Sequence, residues 1–407
     1  MRLLISRAAL LASLAAVAVG VFMASGLDGR AGISDTGVYE RYGERITRGD
    51  VPYRDFAVEY PPGALVPFVL PALVSGTRGD YDAAFMGLMV FALAAASVLI
   101  VLSLRPLRAS GARTALAVGV FLGGTALLGP FALTRFDLYA AAVTLAAVCA
   151  ILYRRDRLGS ALLGVAIATK IYPAVLLPLL VTRIWRREGA AAALRGFGLT
   201  AATAFAVYLP FLVVAPDGVA RSVWRQLGRP LQIESLGSGV LLALHNAAGM
   251  PLAWASSSGS QNLTGAVAAI ASALTTVVAL AALALVWWRF ARGDTESAAR
   301  FAQYAAAAVV AFVAFGKVVS PQFLVWLLAL VVLVPGRRGL AASGLLLAAC
   351  ALTRLWFPRT YWELVKQFDP TASWLVLARD VVLVAVFIVL IARVSSKATD
   401  NEPRASH

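Results

Sequence analysis

Residues 82–104, DAAFMGLMVFALAAASVLIVLSL, form an apolar run whose single charged residue stands at its first position. A helix of that length, at about 1.5 Å per residue, is long enough to cross the ~30 Å hydrocarbon core of a bilayer. Comparable runs recur along the whole 407-residue chain, in which 60% of the residues are hydrophobic and 14% are charged. The mean hydropathy is +0.80. A water-soluble globular domain has about 25% charged residues, so this composition excludes one.

The apolar runs predict an all-α polytopic membrane protein with about 12 transmembrane helices. Arg2 and Arg7 flank the start of the first run, so we expect that start to be cytoplasmic. The first run ends in Ala24-Ser25-Gly26, which makes a cleaved signal peptide the alternative, but its length favours an uncleaved span. We place the spans over residues 3–26, 82–104, 114–132, 138–153, 158–170, 172–184, 196–215, 265–288, 301–316, 321–335, 339–357 and 373–392.

Residues 61–76 decide the orientation of the later loops. They are apolar but short, and Pro67 and Pro71 interrupt them, so a helix over them reaches only ~24 Å. If this segment crossed the bilayer, the arginines between residues 105 and 113 would face outward. An interfacial or re-entrant helix instead keeps every basic cluster on the cytoplasmic side, and we choose that alternative. Both termini are then cytoplasmic.

Residues 158–181 allow two interpretations. They could form one long span, yet Lys170 and Pro173 lie at their centre and arginines stand at both ends. Two half-helices that meet at an outward-facing Lys170 satisfy the charge rule better.

The net charge of +15 arises from 36 Lys+Arg against 21 Asp+Glu. The basic residues stand in small groups between apolar runs rather than on one solvated face, so we expect no nucleic-acid partner. Cys149 and Cys350 lie in apolar runs and predict neither a disulfide nor a metal site. The chain has two histidines, of which His407 is in the tail, so a histidine-based metal or proton-relay centre is not expected.

The unusual polar residues collect on the predicted outer side. Lys170 and Lys317 lie within or beside apolar runs, where a charge is costly unless it is paired or solvated. Each is therefore a functional candidate, with snorkelling to the nearer interface as the alternative. Several cations on one face favour an anion site. The candidate stretches are Asp35, Tyr39, Glu59-Tyr60-Pro61-Pro62, Arg135-Phe136-Asp137, Lys170-Ile171-Tyr172-Pro173, Arg229 to Leu236, and Lys317-Val318-Val319-Ser320-Pro321-Gln322.

Structural explanations also exist for several of these residues. Asp35 precedes a predicted helix over 36–48 and could be its N-cap, although a capping residue can also face a cleft. Asp137 could be the ion-pair partner of Arg135. Tyr60-Pro61-Pro62 could mark only the start of a helix, because proline is favoured in a first turn.

The order of these stretches along the chain resembles glycosyltransferase family 87. The resemblance rests on Asp35, Tyr60-Pro61-Pro62, Lys170-Ile171-Tyr172-Pro173, the segment Arg229-Pro230-Leu231-Gln232-Ile233-Glu234-Ser235-Leu236, and Lys317 to Gln322. It implies membrane enzymes of the GT-C fold, related to actinobacterial polyprenol-phosphate-mannose-dependent mannosyltransferases. The implied domain spans residues 1–394, with a first outer loop over 27–81 that carries interfacial helices and a second over 216–264. Residues 395–407 are expected to be a disordered cytoplasmic tail.

The resemblance implies transfer of a sugar from a polyprenyl-phosphate donor on the outer face of the plasma membrane. Asp35 has the position of the acidic residue that acts on the acceptor in such enzymes. A lipid phosphate leaves as a stable anion, so the chemistry needs a base near the acceptor hydroxyl and cations around the phosphate. We expect Asp35 to be that base and the reaction to invert the anomeric centre. The phosphate-binding candidates are Lys170, Arg135, Lys317 and Arg229; the other substrate-binding candidates are Tyr39, Glu59, Tyr60, Asp137, Tyr172, Gln232, Glu234 and Gln322.

We also have expectations for the donor sugar, the acceptor and the need for a cofactor. Mannose is the expected sugar, with arabinofuranose or another pentose as the alternative, and the acceptor is a glycolipid or an envelope glycan. A divalent cation is possible in this fold, but no dense acidic cluster lies near Asp35, so we expect no required metal. Trp326, Trp356, Trp362 and Trp374 could stack on sugar or lipid, although most are expected in an aromatic belt.

Two other functions compete with a transferase. A multi-span transporter or lipid flippase would also have broken helices and buried lysines, but the chain shows no inverted repeat and has a long polar first loop. A catalytically inactive scaffold is the second alternative, and the retained Asp35 and basic residues argue against it.

Overall fold

The computed structural model describes residues 2–26 and 34–392, and these residues form an almost entirely helical protein. The predicted tail over 395–407 lies outside them. The first nine helices are α1 (Arg2–Ala24), α2 (Thr36–Thr47), α3 (Val66–Ala72), α4 (Arg78–Ser103), α5 (Gly111–Leu128), α6 (Asp137–Leu152), α7 (Asp156–Thr169), α8 (Leu177–Glu188) and α9 (Ala190–Val214). They are followed by α10 (Pro216–Leu227), α11 (Leu236–Ala248), α12 (Ala266–Ala291), α13 (Ala298–Ala314), α14 (Leu324–Val331), α15 (Gly336–Trp356), α16 (Tyr361–Gln367) and α17 (Pro370–Ile391).

Seven helices in the described part of the chain are long and apolar enough to span a membrane, namely α1, α4, α5, α9, α12, α15 and α17. Each corresponds to a predicted span. The other five predicted spans fall on α6, α7, α8, α13 and α14, none of which exceeds 17 residues. The last two are largely buried within the protein, so they present little surface to lipid. The chain is an all-α, multi-pass membrane protein.

Proline interrupts the chain at four points, and each point adjoins candidate residues. Short 3₁₀ turns with proline in the first two positions cover Pro62–Leu65, Pro130–Leu133, Tyr172–Leu176 and Pro321–Phe323. Proline lacks the N–H that continues a helix, and it pushes the preceding residue out of the helical region. Pro173 therefore cannot donate to the carbonyl oxygen of Thr169, where α7 ends, and Lys170 follows in an extended conformation. The prediction of two half-helices meeting at Lys170 thus agrees with the backbone.

The first polar loop packs as a small helical layer beside α4. Its helix α2 crosses α3 so closely that a Cβ on Gly43 would lie 2.4 Å from the carbonyl oxygen of Phe68, which only glycine permits. The 3₁₀ turn from Pro62 and α3 together end at Ala72, so this broken helix is too short to cross the hydrocarbon core.

The second polar loop has more regular structure than its sequence predicts. It contains α10, α11 and a two-stranded antiparallel hairpin of β1 (Ala253–Ser257) and β2 (Ser260–Thr264). Ser258 and Gly259 connect the strands with φ values of 51° and 68°, as a tight turn of primed type requires. One side of the hairpin lies against the first loop, where a Cβ on Gly259 would meet Glu59 Oε2 at 2.6 Å.

Candidate active site

Asp35 stands at the N-terminus of α2 but does not cap it. Its side chain accepts no capping hydrogen bond, and Ser34 Oγ accepts from the backbone N–H of Thr36 instead. The Asp35 carboxylate forms an ion pair with Arg135, and Tyr39 Oη donates to Asp35 Oδ2 at 3.4 Å. The Asp35 side chain is 32% exposed and that of Arg135 only 8%. The capping alternative is therefore wrong for the carboxylate, which faces a buried cation.

Lys170 and Asp137 form a second ion pair next to the first. Lys170 Nζ lies 2.6 Å from Asp137 Oδ1, and the two side chains are 15% and 2% exposed. Trp326 Nε1 donates to the same oxygen at 2.8 Å. The ammonium also lies over the rings of Phe136 and Trp326, at 4.3 and 4.8 Å from their centroids. Lys170 is thus paired inside the protein, and Asp137 is its partner rather than that of Arg135.

Aromatic rings pack together beside these ion pairs, and one of them, Phe68, belongs to α3. The ring of Tyr60 packs edge-on against those of Tyr39 and Phe136, at 5.8 and 5.1 Å between centroids. Phe68 stacks on Tyr39 at 4.2 Å. Tyr53 Oη donates to the carbonyl oxygen of Tyr60 at 2.7 Å, which fixes the backbone before the first 3₁₀ turn. Tyr39 and Tyr60 therefore shape the site mainly through their rings.

Arg229 and Glu59 extend the cluster toward the second loop. Gln226 Nε2 donates to the carbonyl oxygen of Glu59 at 2.6 Å, which joins the two loops. Burial lowers the pKa of Arg229, while the charges of Glu59 and Glu234 oppose that shift. Arg229 and Arg135 are also within electrostatic range of Lys170. Lys170 thus lies within electrostatic range of two arginines, one of which, Arg135, pairs with the partly exposed carboxylate of Asp35.

Glu234 is a fully buried carboxyl group on the other side of Arg135. Gln232 Nε2 donates to Glu234 Oε2 at 3.1 Å and to Ser320 Oγ at 3.2 Å. Burial raises the pKa of Glu234 to about 8, opposed by the positive charges of Arg379 and Arg135. Burial therefore favours the protonated form of Glu234.

Sequence reasoning missed the charged pair that supports Glu234 from α17. Arg379 Nη2 donates to the carbonyl oxygen of Glu234 at 2.6 Å, and Arg379 Nε lies 2.7 Å from Asp380 Oδ1. Both side chains are fully buried. Two adjacent charges inside an otherwise apolar run were the signal that could have identified them.

The remaining candidates lie at the periphery or in the core. Lys317 Nζ donates to the carbonyl oxygen of Leu227 at 3.1 Å, and its own carbonyl accepts from the backbone N–H of Gln232 at 2.9 Å. Gln322 is half-buried within the 3₁₀ turn before α14. Tyr172 is buried, stacked on Trp326 at 4.1 Å, with its hydroxyl donating to Thr144 Oγ1 at 2.8 Å. The ring of Tyr172 holds Trp326 in place, and its contact with substrate stays a prediction.

The four candidate tryptophans divide into two pairs by their exposure. Trp326 and Trp356 are buried, so neither belongs to a membrane-facing aromatic belt, whereas Trp362 and Trp374 are about half exposed. The indole N–H of Trp326 also donates to Asp137, a contact that the sequence does not indicate, while stacking of a tryptophan on sugar or lipid stays a prediction.

Several buried polar atoms at this site lack hydrogen-bond partners among the described residues. They are Arg135 Nε, Arg229 Nε and Gln232 Oε1. An unpaired buried donor or acceptor is costly, so a polar ligand that bonded to these atoms would remove that cost. Two guanidinium N–H groups suit an anion.

A metal ion finds little support in the donor set. Within residues 2–26 and 34–392, no three or more His, Cys, Asp or Glu side chains gather as a metal site. Asp35 and Asp137 each pair with a cation instead. That the reaction needs no metal stays a prediction.

The fold and the site define a multi-pass membrane protein in which two carboxylate–cation pairs lie beside helices that proline interrupts. The sequence profile of glycosyltransferase family 87 matches residues 58–321, more than half of the chain. The chain belongs to this family and is a membrane glycosyltransferase. No curated protein matches it significantly. The matched region contains Arg135, Asp137 and Lys170, while Asp35 precedes it.

Proposed function

We propose that the protein transfers a sugar from a polyprenyl-phosphate donor to a glycolipid or envelope glycan on the outer face of the plasma membrane. The observation that carries this proposal is the group of cations formed by Lys170, Arg135 and Arg229, of which Arg135 pairs with Asp35. Arg135 and Lys170 pair with carboxylates, and the Nε donors of Arg135 and Arg229 have no partner among the described residues. Such a set fits the phosphate of a lipid carrier, for which arginine offers paired N–H donors.

In the proposed reaction Asp35 acts as the general base. It takes the proton of the acceptor hydroxyl while the hydroxyl oxygen forms a bond to the anomeric carbon. The bond from that carbon to the phosphate oxygen breaks, and the carrier leaves as a phosphate anion stabilised by Arg135, Lys170 and Arg229. Displacement from the opposite face inverts the anomeric centre. Donor phosphate at Arg135 would also release Asp35 from its ion pair, so that it is free to accept a proton.

The proposal also covers the donor sugar and the orientation of the protein in the membrane. Mannose is the sugar we propose, with a pentose as the alternative. Both termini are placed in the cytoplasm because the basic loop clusters then face inward. Membership of a glycosyltransferase family favours an enzyme over a transporter or a flippase.

A transfer assay in proteoliposomes tests the proposal. Purified protein receives radiolabelled polyprenyl-phosphate mannose, or the corresponding pentose donor, with a mycobacterial-type lipid extract as acceptor. Asp35→Asn is compared with Asp50→Asn, which alters an exposed carboxylate of the same loop that pairs with Arg45.

We expect label in a new glycolipid, at least about 100-fold less of it with Asp35→Asn, and little change with Asp50→Asn. Activity that survives in a folded Asp35→Asn variant would overturn the assignment of the base. No transfer from either donor to any acceptor fraction would overturn the proposed reaction.

A further inference from the structure

The helix α10, residues 216–227, carries three chemically different faces. Gly218, Val219 and Ser222 are buried against the protein. At about 100° per residue, Val223 and Leu227 project from a side roughly opposite to that of Arg221 and Arg225. All four of these side chains are exposed.

Trp224 stands between the apolar side and the basic side of α10. It is 74% exposed, and its neighbours Val223 and Leu227 are 38% and 56% exposed. An apolar side of this kind would ordinarily be turned toward the protein core. Here Gly218, Val219 and Ser222 face the core, and the apolar side is left uncovered, so a second apolar phase would stabilise it.

The position of α10 along the chain identifies that phase. Helix α9 is long and apolar enough to span the membrane. It ends at Val214, and a single residue separates it from Pro216, where α10 begins. Ala215 between them is not helical, with φ and ψ of −153° and 53°, so the chain turns there. The end of α9 also exposes Val213 and Val214. A helix that starts where a span stops lies at the level of the bilayer surface.

Its charge pattern fits the same surface. Tryptophan favours the membrane interface, where its ring is apolar and its N–H meets water. Arginines on the opposite side of such a helix attract anionic headgroups. The partner that matches both sides together is a bilayer containing anionic phospholipid.

Helix α10 is also joined directly to the candidate active site. Gln226 Nε2 donates to the carbonyl oxygen of Glu59 at 2.6 Å, and Lys317 Nζ donates to that of Leu227 at 3.1 Å. Arg229 follows the helix after one residue. The depth of α10 in the interface therefore sets the height of these residues relative to the lipid surface.

We propose that α10 lies in the membrane interface, with Val223, Trp224 and Leu227 among the acyl chains and Arg221 and Arg225 on anionic phospholipid headgroups. This contact holds the mouth of the site at the membrane surface. The membrane contact stands without any assumption about the donor; its effect on catalysis rests on the proposed lipid-linked donor.

Spin labels on α10 test the membrane contact without an activity measurement. Single Val223→Cys, Leu227→Cys, Arg221→Cys and Arg225→Cys variants are labelled in full-length protein, whose native Cys149 and Cys350 are buried. In vesicles of phosphatidylcholine with phosphatidylglycerol, we expect the labels at 223 and 227 to collide with oxygen and those at 221 and 225 with a water-soluble nickel chelate. Equal access of the chelate to all four positions would overturn the proposal.

A second arm tests the headgroups. The depth of a spin label at Leu227→Cys should depend on the phosphatidylglycerol content of the vesicles. In Arg221→Gln/Arg225→Gln this dependence should weaken, because each arginine removed lowers the affinity for phosphatidylglycerol about fivefold. If that dependence is unchanged, the headgroup contact is refuted. With a long-chain polyprenyl donor, the same variant should raise KM at least about threefold with kcat retained. An unchanged KM together with the expected label pattern would refute the link to the donor while leaving the membrane contact intact.

Discussion

Removal of Lys170 should destabilise the protein by leaving Asp137 as an unpaired buried charge. Only 2% of the Asp137 side chain is exposed, so water cannot replace the ammonium 2.6 Å away. Breaking a buried ion pair by removing one partner costs about 3–5 kcal/mol. The lost contacts of the ammonium with the rings of Phe136 and Trp326 add to this, at about 0.5–2 kcal/mol. We therefore expect Lys170→Met to lower the free energy of unfolding by about 4 kcal/mol.

The double variant Lys170→Met/Asp137→Asn should recover most of that loss. An asparagine at 137 is neutral, and its amide oxygen can still accept from Trp326 Nε1. Replacing a buried ion pair by neutral groups of similar volume is often close to neutral in stability. The double-mutant cycle should therefore give a coupling energy of about 2–3 kcal/mol.

Reversible unfolding in mixed detergent micelles provides the measurement. Glu44 in α2 and Arg48 directly after the helix form an exposed ion pair at 3.2 Å and supply the control cycle, for which we expect about 0.5 kcal/mol or less. A coupling energy for Lys170 and Asp137 no larger than that control would refute the reasoning. Restored stability without restored transfer would separate a functional role of Lys170 from its structural one.

Three further substitutions probe single contacts. Glu234→Gln should remove a pH dependence of stability. Folded Glu234 has a pKa of about 8 against an ordinary value of 4.5, so the stability of the wild type should fall as pH rises between these values. The unfolding midpoints at pH 5 and pH 8 should therefore differ less in the variant. Trp326→Phe should lower kcat about 10-fold or more, because Asp137 loses the donor that orients it, with circular dichroism as the check of folding. Tyr172→Phe should cost about 1 kcal/mol of stability through the lost bond to Thr144, while the donor KM, measured in the transfer assay, stays unchanged.

The long spans and the helix break were predictable because they depend on local sequence. An apolar run sets the length of a helix, and proline after Lys170 ends α7 whatever packs around it. The choice of ion-pair partners was not predictable. Arg135 stands two residues from Asp137 but pairs with Asp35, 100 positions earlier in the chain, because the turn before α6 points the two side chains in different directions.

The second loop shows a different limit. The serine-rich residues 256–260 are typical of a mobile loop. They nevertheless belong to a hairpin, because β2 also forms backbone hydrogen bonds with the segment before α11. The backbone N–H of Ile233 donates to the carbonyl oxygen of Gln261, and that of Leu263 donates to Leu231, both at 3.0 Å. Tertiary partners of this kind override local propensity.

The pairing of Arg135 and Lys170 with carboxylates explains how these two charges can be buried beside a membrane. Arg135 is paired with Asp35 and Lys170 with Asp137, so an empty site needs no bound anion to remain folded. The same pairing makes a bound phosphate a competitor of the carboxylates. Displacement of Asp35 by a donor phosphate would free the base only when a donor is present. In the proposed mechanism the ion pairs therefore stabilise the empty enzyme and also couple activation of the base to binding of the donor.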